Sequence, residues 1–242
     1  MEPAFFDQET STATQAERAY LKLRSEILHG ELMPGQRLRA NDLQAKFQLG
    51  LTPIREALMR LSSEGLVDAQ THRGAVVAPV TLKELADLMA TRRHIERLCL
   101  SMAIDNGDLA WEAEIITSMY LLANTPLPSD LDDLGAATTW EAHHRRFHRA
   151  LVAACNSEWM MRIWSTLNDH SERYRKIRLL HHKAEGARVR NVTAEHEALK
   201  DAVIRRDKAL AARLMDEHLT QTELAAAVLL ANDQQDEKGN QP

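Results

Sequence analysis

The chain has 242 residues, enough for two domains, with a formal net charge of -5 and two cysteines. That balance excludes a general nucleic-acid coat protein, and no apolar run reaches membrane-spanning length. Cys99 and Cys155 sit in apolar helical contexts and read as free thiols in a reducing cytoplasm. The opening MEPAFFDQET lacks the basic start and long apolar stretch of a signal peptide, so a cytoplasmic location is expected.

Residues 1–14 read as disordered. A helix is expected from about Gln15 to His29, with Ala19, Leu21, Leu23, Ile27 and Leu28 as its apolar positions and Gly30 as its end. A short helix then starts near Asn41 or Asp42, either of which can cap it. Leu43 and Phe47 share its buried face, and Gly50 breaks it. Thr52 is expected to cap a second helix with Pro53 at its first helical position. Ile54, Leu58 and Leu61 form the buried face of that helix, Arg55 and Arg60 point elsewhere, and Gly65 ends it. Val67–Gln70 and Ala75–Val80 are β-prone, with His72, Arg73 and Gly74 turning between them. Two short helices, a turn and a β-wing are the outline of a winged helix-turn-helix.

The residues PGQRL at 34–38, TPIREAL at 52–58, EGLV at 64–67 and RG at 73–74 resemble the DNA-binding domain of the GntR family of bacterial transcription regulators. That family usually has a polar residue and an arginine just before the TP pair. Gly50 and Leu51 stand there in this chain, a departure that bears on one DNA contact and not on the fold. The resemblance implies a double-stranded, pseudo-palindromic operator and DNA-binding roles for Arg39, Thr52, Arg55, Arg60, His72, Arg73 and Gly74. Arg55 can alternatively bridge to Glu64 or the helix end. Between Gln15 and Val80 the basic excess is small: Arg18, Lys22, Arg24, Arg37, Arg39, Lys46, Arg55, Arg60 and Arg73 face Glu17, Glu26, Glu31, Asp42, Glu56, Glu64 and Asp68. A homodimer would double the contacts.

A boundary is expected at Pro79-Val80-Thr81, where Thr81-Leu82-Lys83-Glu84 has the form of a capping box. From there the pattern is helical, with helices expected at 82–105, 108–123, 135–155, 158–181, 194–205 and 208–230. Asn124–Asp133 and Lys183–Asn191 read as loops, and 232–242 as a disordered tail. The fold class is therefore mainly α: a winged helix-turn-helix over 15–80, then an all-helical bundle over 81–231. RRHIERLCLSMA at 92–103, FHRALVAACNS at 147–157 and EHEALKDAVIRRDKALAARLMDEHL at 195–219 resemble the FCD effector-binding domain of the fatty-acid-regulator branch of the same family. The details are nearest to regulators that respond to small dicarboxylates or hydroxy acids.

Histidines carry the chemistry of the bundle. His144 and His148 are one helical turn apart, and imidazole suits Zn, Ni and related ions. The resemblance implies a metal site made by an Asp, a His four residues later, and a His from each of two later helices. His148, His196 and His218 match the three histidines, and His144 stands at the aspartate position. The expected cofactor is a divalent transition metal, Zn or Ni first. By itself, a histidine pair at this spacing is more often a core or surface pair. Arg92 matches the arginine of the family's R-x-x-L-E pattern on a cavity-lining helix, and a guanidinium fork suits a carboxylate. Asn168, Arg173 and Tyr174 join it as effector-binding candidates. Arg93, Arg97 and Arg175 read as surface ion pairs, and Trp159 and Trp164 as core. With no aspartate at position 144, the arginines and imidazoles are expected to lack an anion from the protein.

These readings converge on a regulator, a repressor in the first instance, whose operator binding responds to a small carboxylate. The alternatives are a metal sensor with the ion as effector, and a metalloenzyme. Arg145 follows His144 where a zinc hydrolase of the H-E-x-x-H type needs its glutamate, which counts against the enzyme.

Overall fold

The computed structural model describes residues 14–70, 74–128, 133–180 and 190–239. The chain divides between Val80 and Thr81 into two compact units.

The N-terminal unit opens with α1 (Gln15–Leu28), capped by Thr14, whose hydroxyl accepts from Glu17 N–H at 3.1 Å. Ala19, Leu23, Ile27 and Leu28 are buried on the side that packs against α3 (Leu51–Ser63), whereas Leu21, expected among them, is exposed. α2 (Ala40–Phe47) starts one or two residues before the expected caps, with Arg39 at the cap position and no side-chain cap bond. Asp42 instead lies in the first turn, where its charge complements the helix dipole. The helix stops at Gln48, which is left-handed with φ 55°, two residues before the expected break at Gly50.

Gly50 caps α3, so Thr52 and Pro53 fall inside its first turn. The absent N–H of Pro53 is still harmless there, because the first-turn donors have no intrahelical acceptor. A Cβ at Gly50 would sit 3.2 Å from the Pro53 ring, which favours glycine at this tight entry. Gly65, at φ +74°, closes α3: its N–H reaches Ser62 and the N–H of Leu66 reaches Leu61. That is a Schellman arrangement, which a glycine enters without steric cost.

β1 (Arg37–Leu38), absent from the sequence reading, joins β2 (Val67–Gln70) and β3 (Gly74–Val77) in an antiparallel sheet of order β1-β3-β2. Leu38 pairs with Ala75 and Val67 with Val77. β3 ends at Val77 rather than Val80; Ala78 still donates to Leu66, and Pro79 has no N–H to continue a ladder. Leu23, Ile27, Leu38, Leu43, Ile54, Leu61, Leu66 and Val77 share one core.

The second unit is helical: α4 (Leu82–Asn106), α5 (Leu109–Ala123), α6 (Leu134–Val152), α7 (Glu158–Leu180), α8 (Val192–Ile204) and α9 (Lys208–Gly239). Thr81 caps α4 by accepting from Glu84 N–H. The reciprocal half of the expected capping box is replaced, since the Glu84 carboxylate accepts from Tyr174 Oη at 2.7 Å. α6 gives way to a 3-10 turn at Ala153–Cys155, where a single helix to 155 was expected. α9 continues past Asn232 to Gly239, through the start of the expected disordered tail. Its Gln, Glu and Lys residues are good helix formers. α4 packs against α6, α7 and α9, and α8 packs against α5 and α9. Trp164 is buried as expected, but Trp159 is exposed.

Candidate nucleic-acid interface and metal centre

On α3, Ile54, Ala57 and Leu61 are buried, which turns Thr52, Arg55, Glu56 and Met59 outward. Arg39 is exposed just before α2. Neither the Arg39 nor the Arg55 side chain has an ion-pair or hydrogen-bond partner among the described residues. Arg60 differs. Its guanidinium lies 3.5 Å from the centre of the Tyr20 ring, bonds to Glu17 at 2.7 Å and approaches Glu64 at 3.4 Å. Tyr20 Oη donates to the same Glu64 at 2.9 Å. Burial, followed by that bond to a carboxylate, pushes the Tyr20 hydroxyl pKa up. The bridge to Glu64 considered for Arg55 is thus made by Arg60, which ties α3 to α1. Gly74 opens β3 at φ +89°, while His72 and Arg73 lie outside the described residues.

In the helical unit, α6 carries His144 and His148 one turn apart, α8 carries His196 in its first turns and α9 carries His218. All four are buried, and one ligand atom from each lies within 4.8 Å of the others. His148 Nε2 and His196 Nε2 are 3.3 Å apart. Two nitrogens bound tetrahedrally to one Zn at about 2.0–2.1 Å would be roughly 3.4 Å apart, so the donor set fits such an ion. His218 Nδ1 lies 3.0 Å from Glu195 Oε2, which leaves Nε2 as its ligand atom. Arg190 holds Glu195 through a two-pronged ion pair and donates to the His218 carbonyl at 2.9 Å.

Three of these imidazoles, His144, His148 and His218, are held towards the neutral form that coordination requires. Burial drives the pKa values of His144 and His148 well below the usual histidine range, with Arg175 adding to the effect at His144. Burial lowers His218 to about 4, against an opposing pull from its bond to Glu195. Glu195 itself is raised by burial but held down to about 2 by His218 and Arg190.

Two buried ion pairs flank the histidines. Arg92 donates to Glu96 Oε1 at 3.1 and 3.0 Å and to Asn168 Oδ1 at 3.2 Å. Arg175 donates to Glu141 Oε1 at 3.1 and 2.5 Å, and Glu141 lies 3.7 Å from His144 Nδ1. Burial lowers the Arg92 pKa, offset in part by Glu96, and its charge is felt at His144, His148 and His218.

Three expectations change here. Arg175, read as a surface pair, is 1% exposed. Tyr174 is buried, but its hydroxyl is committed to Glu84 in the first turn of α4, and burial raises its pKa. The protein does supply anions, because Glu96 and Glu141 each face an arginine. Arg93 and Arg97 do form the expected ion pairs, with Glu223 and Asp216. Arg173 is buried, and Asn168 meets Arg92. Glu96, Glu141, Arg190 and Glu195 were missed as site residues. The four-residue step from Arg92 to Glu96 and the three-residue step from Glu141 to His144 were the available signals.

Residues 15–77 match the bacterial regulatory proteins of the gntR family, and residues 87–221 match the FCD domain. The chain belongs to the GntR family of transcription regulators. It is 35% identical to the HTH-type transcriptional regulator BphR of Paraburkholderia xenovorans, over 84% of this chain and 81% of that protein. It is 32% identical to the HTH-type transcriptional repressor GlaR of Escherichia coli, over 83% of this chain and 90% of that one. The solved structure of E. coli McbR/YncC superposes with a TM-score of 0.73 over 91% of this chain and 99% of that chain; at 20% identity it speaks for the fold alone. This GntR-family chain is therefore a DNA-binding transcription regulator and not an enzyme. No helix among its described residues is long and apolar enough to cross a membrane.

Proposed function

We propose that this regulator acts as a homodimeric repressor whose affinity for a pseudo-palindromic operator is set by a small carboxylate bound beside a metal ion in the helical unit. The observation that carries this reading is the buried set His144, His148, His196 and His218, whose ligand atoms lie within 4.8 Å of one another with no carboxylate among them. Arg92 and Arg175 are already neutralised by Glu96 and Glu141. The need for an anion thus moves from the arginines to the ion: a divalent cation held by four neutral imidazoles keeps its whole charge in a dry interior, and burying that without a counter-ion is costly. When bound, the ion would supply a Lewis-acid site for a carboxylate oxygen. Glu96 Oε2 and one Arg175 nitrogen are buried without hydrogen-bond partners and can orient the rest of such a ligand. An effector shifts operator affinity only by the difference in its own affinity for the two arrangements of the regulator. The repressor role is supported by the name of the relative GlaR, and the dimer by the small basic excess of one N-terminal unit.

One feature favours the ion itself as effector. Four imidazoles complete a tetrahedral shell and leave an open position only to an ion of higher coordination number, such as Ni. Elemental analysis of the purified chain, followed by operator-binding titrations with small mono- and dicarboxylates before and after chelation, separates the readings. About one Zn or Ni per chain, with a carboxylate response lost on chelation, is the expected result. A response to metal alone makes the ion the effector. Failure to retain any transition metal after dialysis against Zn and Ni overturns the metal-centred reading.

A further inference from the structure

The outward face of α3 carries more than its arginine. At about 100° per residue, Thr52, Arg55, Glu56 and Met59 fall within one arc of roughly 100° opposite the buried Ile54, Ala57 and Leu61. Met59 stands near the middle of that arc, one turn beyond Arg55. It is 72% exposed, more than Leu21 (50%) or Met33 (59%), the other large apolar residues exposed among the described residues of this unit. Among the described residues it takes no part in the core of the unit.

In a helix-turn-helix the second helix lies in the major groove. There guanine offers two acceptors, adenine and cytosine offer an amino group, and thymine offers a 5-methyl group. A guanidinium such as Arg55 suits guanine. A methionine has no donor to give, and its flexible thioether adapts to an apolar surface. The thymine methyl is the one apolar feature that the groove edge of a base presents. Four residues of helix advance about 6 Å, close to two base-pair steps of about 3.4 Å.

We propose that Met59 is a specificity-determining residue that reads the methyl group of a thymine within about two base pairs of the base contacted by Arg55. The proposal rests on α3 being the recognition helix.

The test begins with selection of binding sites from randomised duplex DNA by the full chain. Each thymine of the selected site is then replaced by uracil, which removes only the methyl group. Replacement at one position in each half-site should weaken binding about fourfold, the worth of one buried methyl, and should have no effect on Met59→Ala. Selection with Met59→Gln should shift that position towards adenine, the base glutamine pairs with best. Uracil substitution that weakens wild type and Met59→Ala alike, or an unchanged preference in Met59→Gln, overturns the proposal. Arg55→Ala separates the two levels of the argument. If it keeps full affinity for the selected site, the assignment of α3 as recognition helix falls and the Met59 proposal falls with it. If it loses affinity while the uracil series is flat, only the Met59 proposal falls.

Discussion

The N-terminal unit keeps Arg39, Arg55 and Met59 in solvent, whereas the C-terminal unit keeps Arg92, Arg175 and four histidines inside, each arginine against a glutamate. The difference decides what a mutation reports. A side chain in water without partners adds little to folding, so its removal reads out as binding alone. A charge buried against one partner is coupled to stability, because its removal leaves the partner desolvated and alone. The largest effects should therefore come from the helical unit, and should appear first in unfolding curves.

Arg92→Ala is the sharpest case. It strands Glu96, which is fully buried and already has one oxygen without a hydrogen-bond partner. The expected loss is about 3–5 kcal/mol of stability by urea unfolding. The double variant Arg92→Met with Glu96→Leu removes both charges and should restore most of that loss. A cost below about 1 kcal/mol for Arg92→Ala would mean that water reaches the pair in solution, which erases the contrast between the units.

Acid comes next. In the metal-free protein the folded pKa of His218 is about 4, and those of His144 and His148 are also depressed. Unfolded histidine titrates near 6.5, so below that pH the unfolded chain takes up protons that the folded chain refuses. Stability should be level above about pH 7 and fall from pH 6.5 towards 4, by about 3 kcal/mol at His218 alone. Glu195, held down to about 2, adds a loss of the same sign from about pH 4.5 downwards. Unfolding midpoints that stay level from pH 7 to 5 would show that the imidazoles are charged or hydrated in the fold.

Arg55→Ala should behave in the opposite way, with unfolding unchanged and operator binding weakened by roughly 1–3 kcal/mol if a base contact is lost. A lost phosphate contact would instead lower the salt slope by about one unit. Normal operator affinity in a folded Arg55→Ala protein removes Arg55 from the interface, and with it the assignment of α3 as recognition helix.

The same contrast explains what could be read from the sequence. The helices of the winged helix-turn-helix and the two wing strands follow from apolar spacing, Pro53 and Gly65, because the unit buries a nearly pure hydrocarbon core. Its caps were less legible: Asn41, Asp42 and Thr52 all have capping side chains, but the turn geometry puts Arg39 and Gly50 at those positions. The histidine cluster was legible through a resemblance rather than through spacing alone, since His196 and His218 lie 48 and 70 residues from His148. The burial of Glu141 and Arg175 was not legible. Sequence patterning treats charged positions as outward-facing, and here α4, α6 and α7 turn charges into their buried sides. Spacing shows that two charges can meet, but not whether they meet in water.

Arg60 carries the smallest expected effect and the finest distinction. It lies one turn beyond Glu56 on α3, and the sequence grouped it with the DNA contacts. Its guanidinium instead covers the Tyr20 ring and bridges Glu17 and Glu64, with the side chain still 49% exposed. Ion pairs and cation–π contacts at such exposure contribute roughly 0.5–1 kcal/mol each at most, and solvent screening takes part of that. Arg60→Ala should thus lower stability by less than about 1 kcal/mol and leave the salt slope of operator binding unchanged, because no phosphate contact is lost. Arg60→Lys should recover less than a surface charge normally would, since an ammonium lacks the planar fork that covers the ring while meeting two carboxylates. The measurement is the pair of slopes, unfolding against urea and binding against salt. If Arg60→Ala lowers the salt slope by about one unit with stability intact, the guanidinium leaves Tyr20 to meet a phosphate, and the division between structural and DNA-reading arginines on α3 disappears.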